Sequence, residues 1–404
     1  MDRFVVSITP NLASFREEVA EFCRTKFPAD LRAMLDKGQK FQRQHYVRWQ
    51  KILQTRKWYA GHWPVEYGGC GWSALQRFVF DDEMLKAGCP YLPPFNHYYV
   101  GPILYTFGNE EQKAKYLAPT RDSDILWCQG YSEPSAGSDL AGLRTRAVRD
   151  GDHYVVNGQK MWTSNAHIAD KVLALVRTST EDRRTDGISF LMIDTALPGV
   201  DIKPITTMDM TNHCNEVFFN DVRVPATELI GEEGKAWTYS RYLLSNERLI
   251  GALVGKYRYI YSDLVSFART TFEGGRPIIE DAFFRRELSE ITVLMQTLDA
   301  VCHRLLSGVQ QGGDLGAAGS ILKLRGSEIE QRLGQAMMDV VARRGLPFQL
   351  EGRDPEWQGE RVGPEKLLGW VTEYLMRRAA TIYGGSSEVM HNIIGKAALG
   401  LAGV

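Results

Sequence analysis

The 404-residue sequence has no strong excess of charge: 48 Lys and Arg face 49 Asp and Glu, for a formal net charge of −1. That balance gives no electrostatic footprint for nucleic acid or an anionic membrane surface. No uncharged run approaches the roughly 18 residues of a membrane span. The N-terminus, "MDRFVVSITPNLASFREEV", has too short an apolar stretch for a signal peptide or an anchor. Cys23, Cys70, Cys89, Cys128, Cys214 and Cys302 form no C-x-x-C pair, and no histidines cluster at metal-ligand spacing. The expectation is a reduced, cytoplasmic protein with no membrane span, no nucleic-acid partner and no metal. Internal repeats are absent.

What the chain does have is an ordinary globular composition, 44% hydrophobic and 24% charged, with 9 Trp, 17 Tyr and 17 Phe. Its length allows two or three domains. Residues 11–120 read as helical: "NLASFREEVAEFCRTKF" has helical spacing at Leu12, Phe15, Val19 and Phe22, with Asn11 as a candidate cap. The pattern changes near 121. "HYVVNGQKMWTS" predicts two short strands around an Asn157-Gly158 turn, and "KVLALVRT", "GISFLMID", "VDIKPI" and "NEVFFNDVRVP" predict further strands. From about 234 the chain is helical again, with one long helix over "KAWTYSRYLLSNERLIGALVGKYRYIYSDLVSFART" and two more after it. The expected class is α+β: a helical domain at 1–122, a β-barrel or sandwich domain at 123–233 packed between helical parts, and a C-terminal four-helix bundle at 234–404.

Two segments carry chemistry. "QGYSEPSAGSDLAGLRTRA" (129–147) gathers small residues, which let main-chain N–H groups and hydroxyls approach a flat polar ligand; a Ser/Gly turn is the plainer reading. "VNGQKMWTSNAHIAD" (156–170) places Trp162 beside Thr163, Ser164 and Asn165, a ring and polar groups that suit stacking on a second ring. A core tryptophan is the alternative. Further along, Leu243, Ile250 and Val254 share a helical stripe with Glu247. A carboxylate in an apolar face has a raised pKa and suits a general base; a domain-edge Glu paired with Arg248 is the alternative.

Together "EPSAGSD" (133–139), "NGQKMWTSN" (157–165), "SNERL" (245–249) and "YGGSSE" (383–388) closely resemble, in order, the motifs of the acyl-CoA dehydrogenase family of flavoproteins, and "FGNEEQKAKYL" (107–117) resembles its helical-domain signature. The resemblance runs from about residue 11 to the C-terminus. It implies FAD, an acyl-CoA substrate and an electron-transfer flavoprotein as partner. It implies that Gln129, Tyr131, Ser132, Gly137 and Ser138 line one side of the flavin, with Ser138 near the thioester. By the same resemblance Trp162 lies against the isoalloxazine, Ser164 near N5, and Thr163 is a further cofactor-binding position. Arg269 and Phe272 of "ARTTF" match residues that reach the FAD of a neighbouring subunit, and Ser386 and Glu388 match FAD contacts. Arg248, Tyr383 and Gly384 match substrate-facing positions.

Many members place the catalytic Glu after the Tyr of the last loop, where this chain has Gly384. A minority resembling isovaleryl-CoA and long-chain dehydrogenases take the base from the position of Glu247, so the resemblance points to Glu247. The family's G-G-x-G segment is also missing: "VVARRGLPFQLEGRDPEW" (340–357) keeps only Gly345, behind Arg343 and Arg344. That departure suggests a homologous partner subunit in an α2β2 heterotetramer, with a homo-oligomer as the alternative. "WCQGYSEP" and "PIIED" resemble the branch acting on steroid side-chain and pimeloyl-type CoA thioesters. A non-catalytic structural subunit and an oxidase or monooxygenase on the same fold are the competing functions.

Overall fold

The computed structural model describes residues 10–247, 253–310, 316–342, 348–360 and 362–401. Helices α1 (Pro10–Lys26), α2 (Ala29–Asp36), α3 (Arg43–Gln54), α4 (Ala74–Lys86), α5 (Gly101–Phe107) and α6 (Glu110–Arg121) come first. Strands β1 (Trp127–Gly130), β2 (Arg146–Asp150), β3 (His153–Ser164), β4 (Lys171–Arg177), β5 (Ile188–Asp194), β6 (Val200–Ile205), β7 (Cys214–Pro225) and β8 (Leu229–Ile230) follow. Then come α7 (Ala236–Glu247), α8 (Val254–Thr270), the short strands β9 (Phe272–Glu273) and β10 (Arg276–Pro277), α9 (Ala282–Gln310), α10 (Ala318–Ala342), α11 (Glu365–Arg377) and α12 (Ser387–Leu399).

The chain forms two compact units. One comprises Tyr46–Trp72 and Leu92–Glu247. Its sheet has the order β6-β7-β3-β2-β4-β5-β8, with β1 added parallel to β4. Inward residues of the paired strands alternate along β7, where Val217, Phe219, Val222 and Val224 are buried, as a sheet with one covered face requires. β4 and β5 are instead buried almost throughout. Asn96, in a π-helical turn at Phe95–Val100, ties helix to sheet: its amide donates to Thr120 O at 2.9 Å and Ile125 O at 2.7 Å, and its Oδ1 accepts from Trp127 N at 3.0 Å.

The other unit comprises Met1–His45, Ser73–Tyr91 and Arg248–Val404. Its apolar core runs along α8, α9, α10 and α11, from Val254 and Leu264 through Ile291, Leu298 and Leu306 to Leu333, Val340 and Trp370. Helix α4 packs on α8 so closely that Gly255 lies against the Asp82 main chain.

Three expectations change. The Asn157-Gly158 turn does not exist: β3 is one 12-residue strand, and the reversal comes at Gly151-Asp152, where Gly151 has φ +60°. Asn157 instead bonds to Asp221 across the sheet (2.9 and 3.0 Å) at a register shift of the strand. Gly158 is required because a Cβ would stand 2.7 Å from Thr145 Cα. The expected long helix is two helices, since Leu253 has φ −73° and ψ 53° and caps α8 rather than continuing α7. Val254 therefore belongs to a different helix from Leu243, and the rest of the expected stripe, Ile250 and the side chains of Leu243 and Glu247, lies outside the described residues. Finally, α1 begins at Pro10, ahead of Asn11, so Asn11 is not its cap.

Candidate functional site

In the sheet-containing unit, the two chemical segments meet side by side. β1 carries Gln129, and the chain turns at Glu133–Ala136, whose main chains bond reciprocally at 3.0 Å. Met161 N donates to Ser132 O at 2.8 Å, which lays Tyr131 and Ser132 along β3. Gly137 and Ser138 are exposed beyond the turn, and a Cβ at Gly137 would meet nothing within 4 Å among the described residues.

β3 ends in an unusual conformation. Trp162 has φ +60° and its side chain is 53% exposed, so it is not a core residue. A bulky non-glycine residue at positive φ is an outlier that the surroundings must enforce. The register shift between Lys160 and Thr163 supplies the local cause. Thr163 is buried; its carbonyl accepts from Asn215 Nδ2 at 3.0 Å, while its Oγ1 has no partner among the described residues. Ser164 Oγ lies 3.7 Å from Cys214 Sγ. Asn165 also has positive φ (62°).

These residues fit the flavin ring that the motifs lead one to expect. An indole face is held out of the core, the next residue keeps a buried hydroxyl with no partner among the described residues, Ser164 follows, and a flanking exposed loop carries Ser132 and Ser138. Stacked aromatic rings contribute about 0.5–1.5 kcal/mol beyond area burial, and an orphaned buried hydroxyl marks a group that a ligand can satisfy.

Beneath this surface lies a buried ion pair that the sequence did not single out. Lys160 Nζ donates to Glu133 Oε1 at 2.7 Å, with the two side chains 0% and 4% exposed. The signal was present, since Lys160 is the one charged residue of its motif and Glu133 one of two in the other, with Asp139, but the 27-residue separation gave no reason to pair them.

α7 ends at Glu247. The Glu247 side chain lies outside what the structure describes, as do Arg248 and the segment with Arg343, Arg344 and Gly345.

In the helical unit, Arg269 stands exposed in the last turn of α8, and Phe272, at the start of β9, is 57% exposed. The final loop is built without an acid. Gly384 has φ +64°, and a Cβ there would have nothing within 4 Å among the described residues; Gly385 has φ +88°. A glutamate at 384 would have space but a left-handed backbone, which an L side chain adopts at a cost of order 1–2 kcal/mol. Tyr383 is half-exposed. Ser386 caps α12, its hydroxyl accepting from Val389 N at 3.3 Å. The Glu388 carboxyl lies below its usual range because its own main-chain N–H and the Ser386 hydroxyl favour the anion, as a helix N-terminus does. The turn before this loop is anchored to α10: Lys323 Nζ donates to Ala380 O at 2.8 Å and Gln331 Nε2 to Arg377 O at 2.7 Å. Buried Arg377 pairs with Glu330 at 2.6 Å and also with Glu373.

Among the described residues no group of side chains could hold a metal ion, and no helix is long and apolar enough to cross a membrane.

Known proteins match over the whole chain. Models of the acyl-CoA dehydrogenase N-terminal, middle and C-terminal domains match residues 9–123, 128–222 and 234–399. The acyl-CoA dehydrogenase IpdE1 of Mycobacterium tuberculosis (strain ATCC 25618 / H37Rv) is 37% identical over 346 residues, 84% of this chain and 83% of that protein. A chain in the crystal structure of the ChsE4-ChsE5 complex from Mycobacterium tuberculosis matches with a TM-score of 0.84 at 31% identity, covering 99% of this chain and 100% of that one. The Tcur3481-Tcur3483 steroid ACAD matches with a TM-score of 0.82 at 30% identity, covering 98% of each chain. With its motifs, its helix–sheet–helix order and these matches in agreement, the chain belongs to the acyl-CoA dehydrogenase family.

Proposed function

We infer that this enzyme removes hydrogen from Cα and Cβ of an acyl-CoA thioester to give the trans-2-enoyl-CoA, with Glu247 as the base, FAD as cofactor and an electron-transfer flavoprotein as the electron acceptor. The observation that carries this reading is Trp162, a bulky side chain held outward at positive φ beside the unpartnered Thr163 hydroxyl.

FAD, when bound, supplies the hydride acceptor at N5. The chain's own residues place and polarise. Trp162 offers the ring face. Ser164 would offer its hydroxyl to the edge near N5 and Thr163 would stand behind it as a further cofactor-binding residue, while Gln129, Tyr131, Ser132 and Gly137 would line one side of the ring. Ser138 faces the thioester arm. Glu247 takes the α-proton. An α C–H is a weak acid, so hydrogen bonds to the thioester carbonyl must strengthen as enolate charge develops. Gly384 and Tyr383 form substrate-facing wall rather than acid or base, and Arg248 has a substrate-side role. Arg269 and Phe272 serve the FAD of a neighbouring subunit, where the Arg fork suits a pyrophosphate. Ser386 and Glu388 contact the cofactor.

The substrate class we favour is a bulky thioester such as a steroid side-chain acyl-CoA, and the assembly an α2β2 heterotetramer with a homologous subunit. The similarity to the steroid ACAD and to one chain of the ChsE4-ChsE5 complex supports both. The loss of the G-G-x-G pattern from the sequence supports the heterotetramer. The competing reading, a structural subunit without catalysis, draws on the same missing motif and on Gly384.

The test is Glu247→Gln in the assembled protein, assayed on straight, branched, dicarboxylic and steroidal CoA thioesters. The expected result is full FAD content with kcat lowered about 10²–10⁴-fold, the usual range for a lost general base. Unchanged activity, with FAD at one per two chains, would establish the structural-subunit reading instead.

A further inference from the structure

The Lys160–Glu133 pair has a shape that stability alone does not explain. Lys160 Nζ bonds to Glu133 Oε1 at 2.7 Å and to Tyr131 O at 3.3 Å. Glu133 also accepts from Thr145 N at 2.9 Å through Oε1 and from Arg144 N at 2.6 Å through Oε2. Two side chains thus fasten three pieces of main chain: the Tyr131 carbonyl, the entry to β2 and β3 itself. The lysine stem packs beneath Gly130, where an added Cβ would stand 3.3 Å from Lys160 Cγ.

Taking both charges out of water carries a penalty of several kcal/mol per ion, and apolar residues of equal volume often serve stability as well or better. Glu133 belongs to the Tyr131–Ser138 segment and Lys160 stands two residues before Trp162, so the 2.7 Å ion pair and the Lys160 bond to Tyr131 O join the two segments, while the Arg144 and Thr145 N–H groups fix Glu133 to the entry of β2. Their output is the relative placement of those two segments.

We propose that Lys160 and Glu133 are a positioning pair, holding the Tyr131–Ser138 segment in register with Trp162–Ser164 so that both present a preformed surface to the flavin ring. The proposal rests on the reading of these segments as flavin-facing. The charged groups that face Lys160 are Glu133 and, with like charge, Arg177. Burial draws the Lys160 ammonium down to about 8, with Glu133 opposing the fall. Burial pushes the Glu133 carboxyl up, but the Lys160 charge and the Lys160, Thr145 and Arg144 hydrogen bonds bring it below its usual value. At neutral pH the pair is therefore ionic, and it loses its cation above about pH 8.

The experiment compares the full-length, flavin-loaded protein with Lys160→Met, Glu133→Gln and the double variant, reading thermal midpoint, visible flavin absorption and circular dichroism, flavin midpoint potential, and kcat against KM. Each single variant leaves a buried group unpaired and should lose stability. The double variant removes both charges together and should recover most of the thermal midpoint. Its flavin spectrum and potential should stay altered, with kcat down by as much as about 10²-fold, the scale of an ångström-sized misplacement, and KM little changed. A double variant with wild-type spectrum, potential and kcat would overturn the positioning role. Should the double variant not fold, Glu133→Asp decides, because it keeps the charge and shortens the reach: an altered flavin spectrum and potential are expected, and a wild-type spectrum and potential overturn the proposal. If the wild-type protein takes up no flavin, the flavin-facing reading fails first and the positioning role fails with it.

Discussion

The same substitution, Gly→Ala, should have opposite signs at two helical positions of this protein. Gly255 lies in the first turn of α8, and a Cβ there would stand 2.1 Å from Asp82 O and 2.9 Å from Asp82 C and Cα on α4. Helix propensity alone favours alanine by about 1 kcal/mol. The obstacle is main chain, however, and α4 cannot rotate out of the way as a side chain would. Restoring ordinary contact requires the two helices to separate by more than about 1 Å, and such overpacking typically costs about 1–3 kcal/mol, occasionally more. Separation also strains the bonds that join these helices, since Arg258 Nη1 contacts Asp82 Oδ2 at 3.0 Å and Arg258 reaches on to Asp299 at 2.8 Å. With the Arg258 side chain 35% exposed, water screens this contact and its weakening adds about 1 kcal/mol at most. Partial relaxation sets the net loss for Gly255→Ala at about 2–4 kcal/mol, a fall of roughly 5–15 °C in melting midpoint for a cooperative unit of this size. At Gly308, near the C-terminal end of α9, a Cβ would meet nothing within 4 Å among the described residues. Gly308→Ala should therefore stabilise by about 0.5–1 kcal/mol, the ordinary entropic gain. Calorimetric melts of both variants at one scan rate provide the test. A Gly255→Ala midpoint at or above wild type would show that α4 and α8 are not in main-chain contact, and would refute the reasoning.

Three further outcomes follow from polar groups and from the exposed indole. Asn96→Leu should strand two carbonyls and the Trp127 N–H; at about 1–3 kcal/mol per orphaned group, partly relieved by water, the loss should exceed about 2 kcal/mol in a denaturant titration. Desolvation alone would raise the pKa of Glu373, whose side chain is 42% exposed, but the Arg377 charge outweighs it and brings it down to about 2. A depressed carboxyl contributes stability above its unfolded value of about 4.5 and loses it as pH falls toward about 2. Melting midpoints measured down that acid limb should fall in wild type and fall less steeply in Glu373→Gln; identical slopes would remove Glu373 from the acid response. Trp162→Ala should leave the melting midpoint within about 0.5 kcal/mol of wild type, because a half-exposed ring supports little core, while flavin affinity measured by titration should drop about tenfold, as the loss of one stacking partner implies.

The strands β4, β5, β6 and β7 were legible because their apolar runs end at turn residues. The helices of the last region were legible because their apolar period is sustained. The misplaced turn had a physical source: "RDGDH" and "VNGQ" both carry turn chemistry, and only the approach of Gly158 to Thr145 and the cross-sheet bonding of Asn157 decide between them. Those are contacts between residues far apart in sequence. The break between α7 and α8 was hidden for the opposite reason, since "RLIGALV" is apolar enough to extend either helix. At the site, residue types announced a ring-binding surface, but no local pattern predicts a tryptophan at positive φ or joins Lys160 to Glu133.

The bonds between helix and sheet have a consequence for how such a chain can be divided. Gln112 Nε2 on α6 donates to Thr227 O and Leu229 O at 2.7 and 2.8 Å, Tyr116 and Lys115 hold the buried Glu228, and Asn96 holds the start of β1. A fragment beginning at residue 123 would contain every strand yet leave these acceptors and the Glu228 carboxylate uncovered. The sheet is thus no cassette that can be cut out, expressed alone or exchanged between relatives at the junction where helix gives way to strand. Protease nicks in the 122–126 linker should leave the two pieces associated, and recombination within the family should succeed only where the α5–α6 segment travels with the sheet it serves.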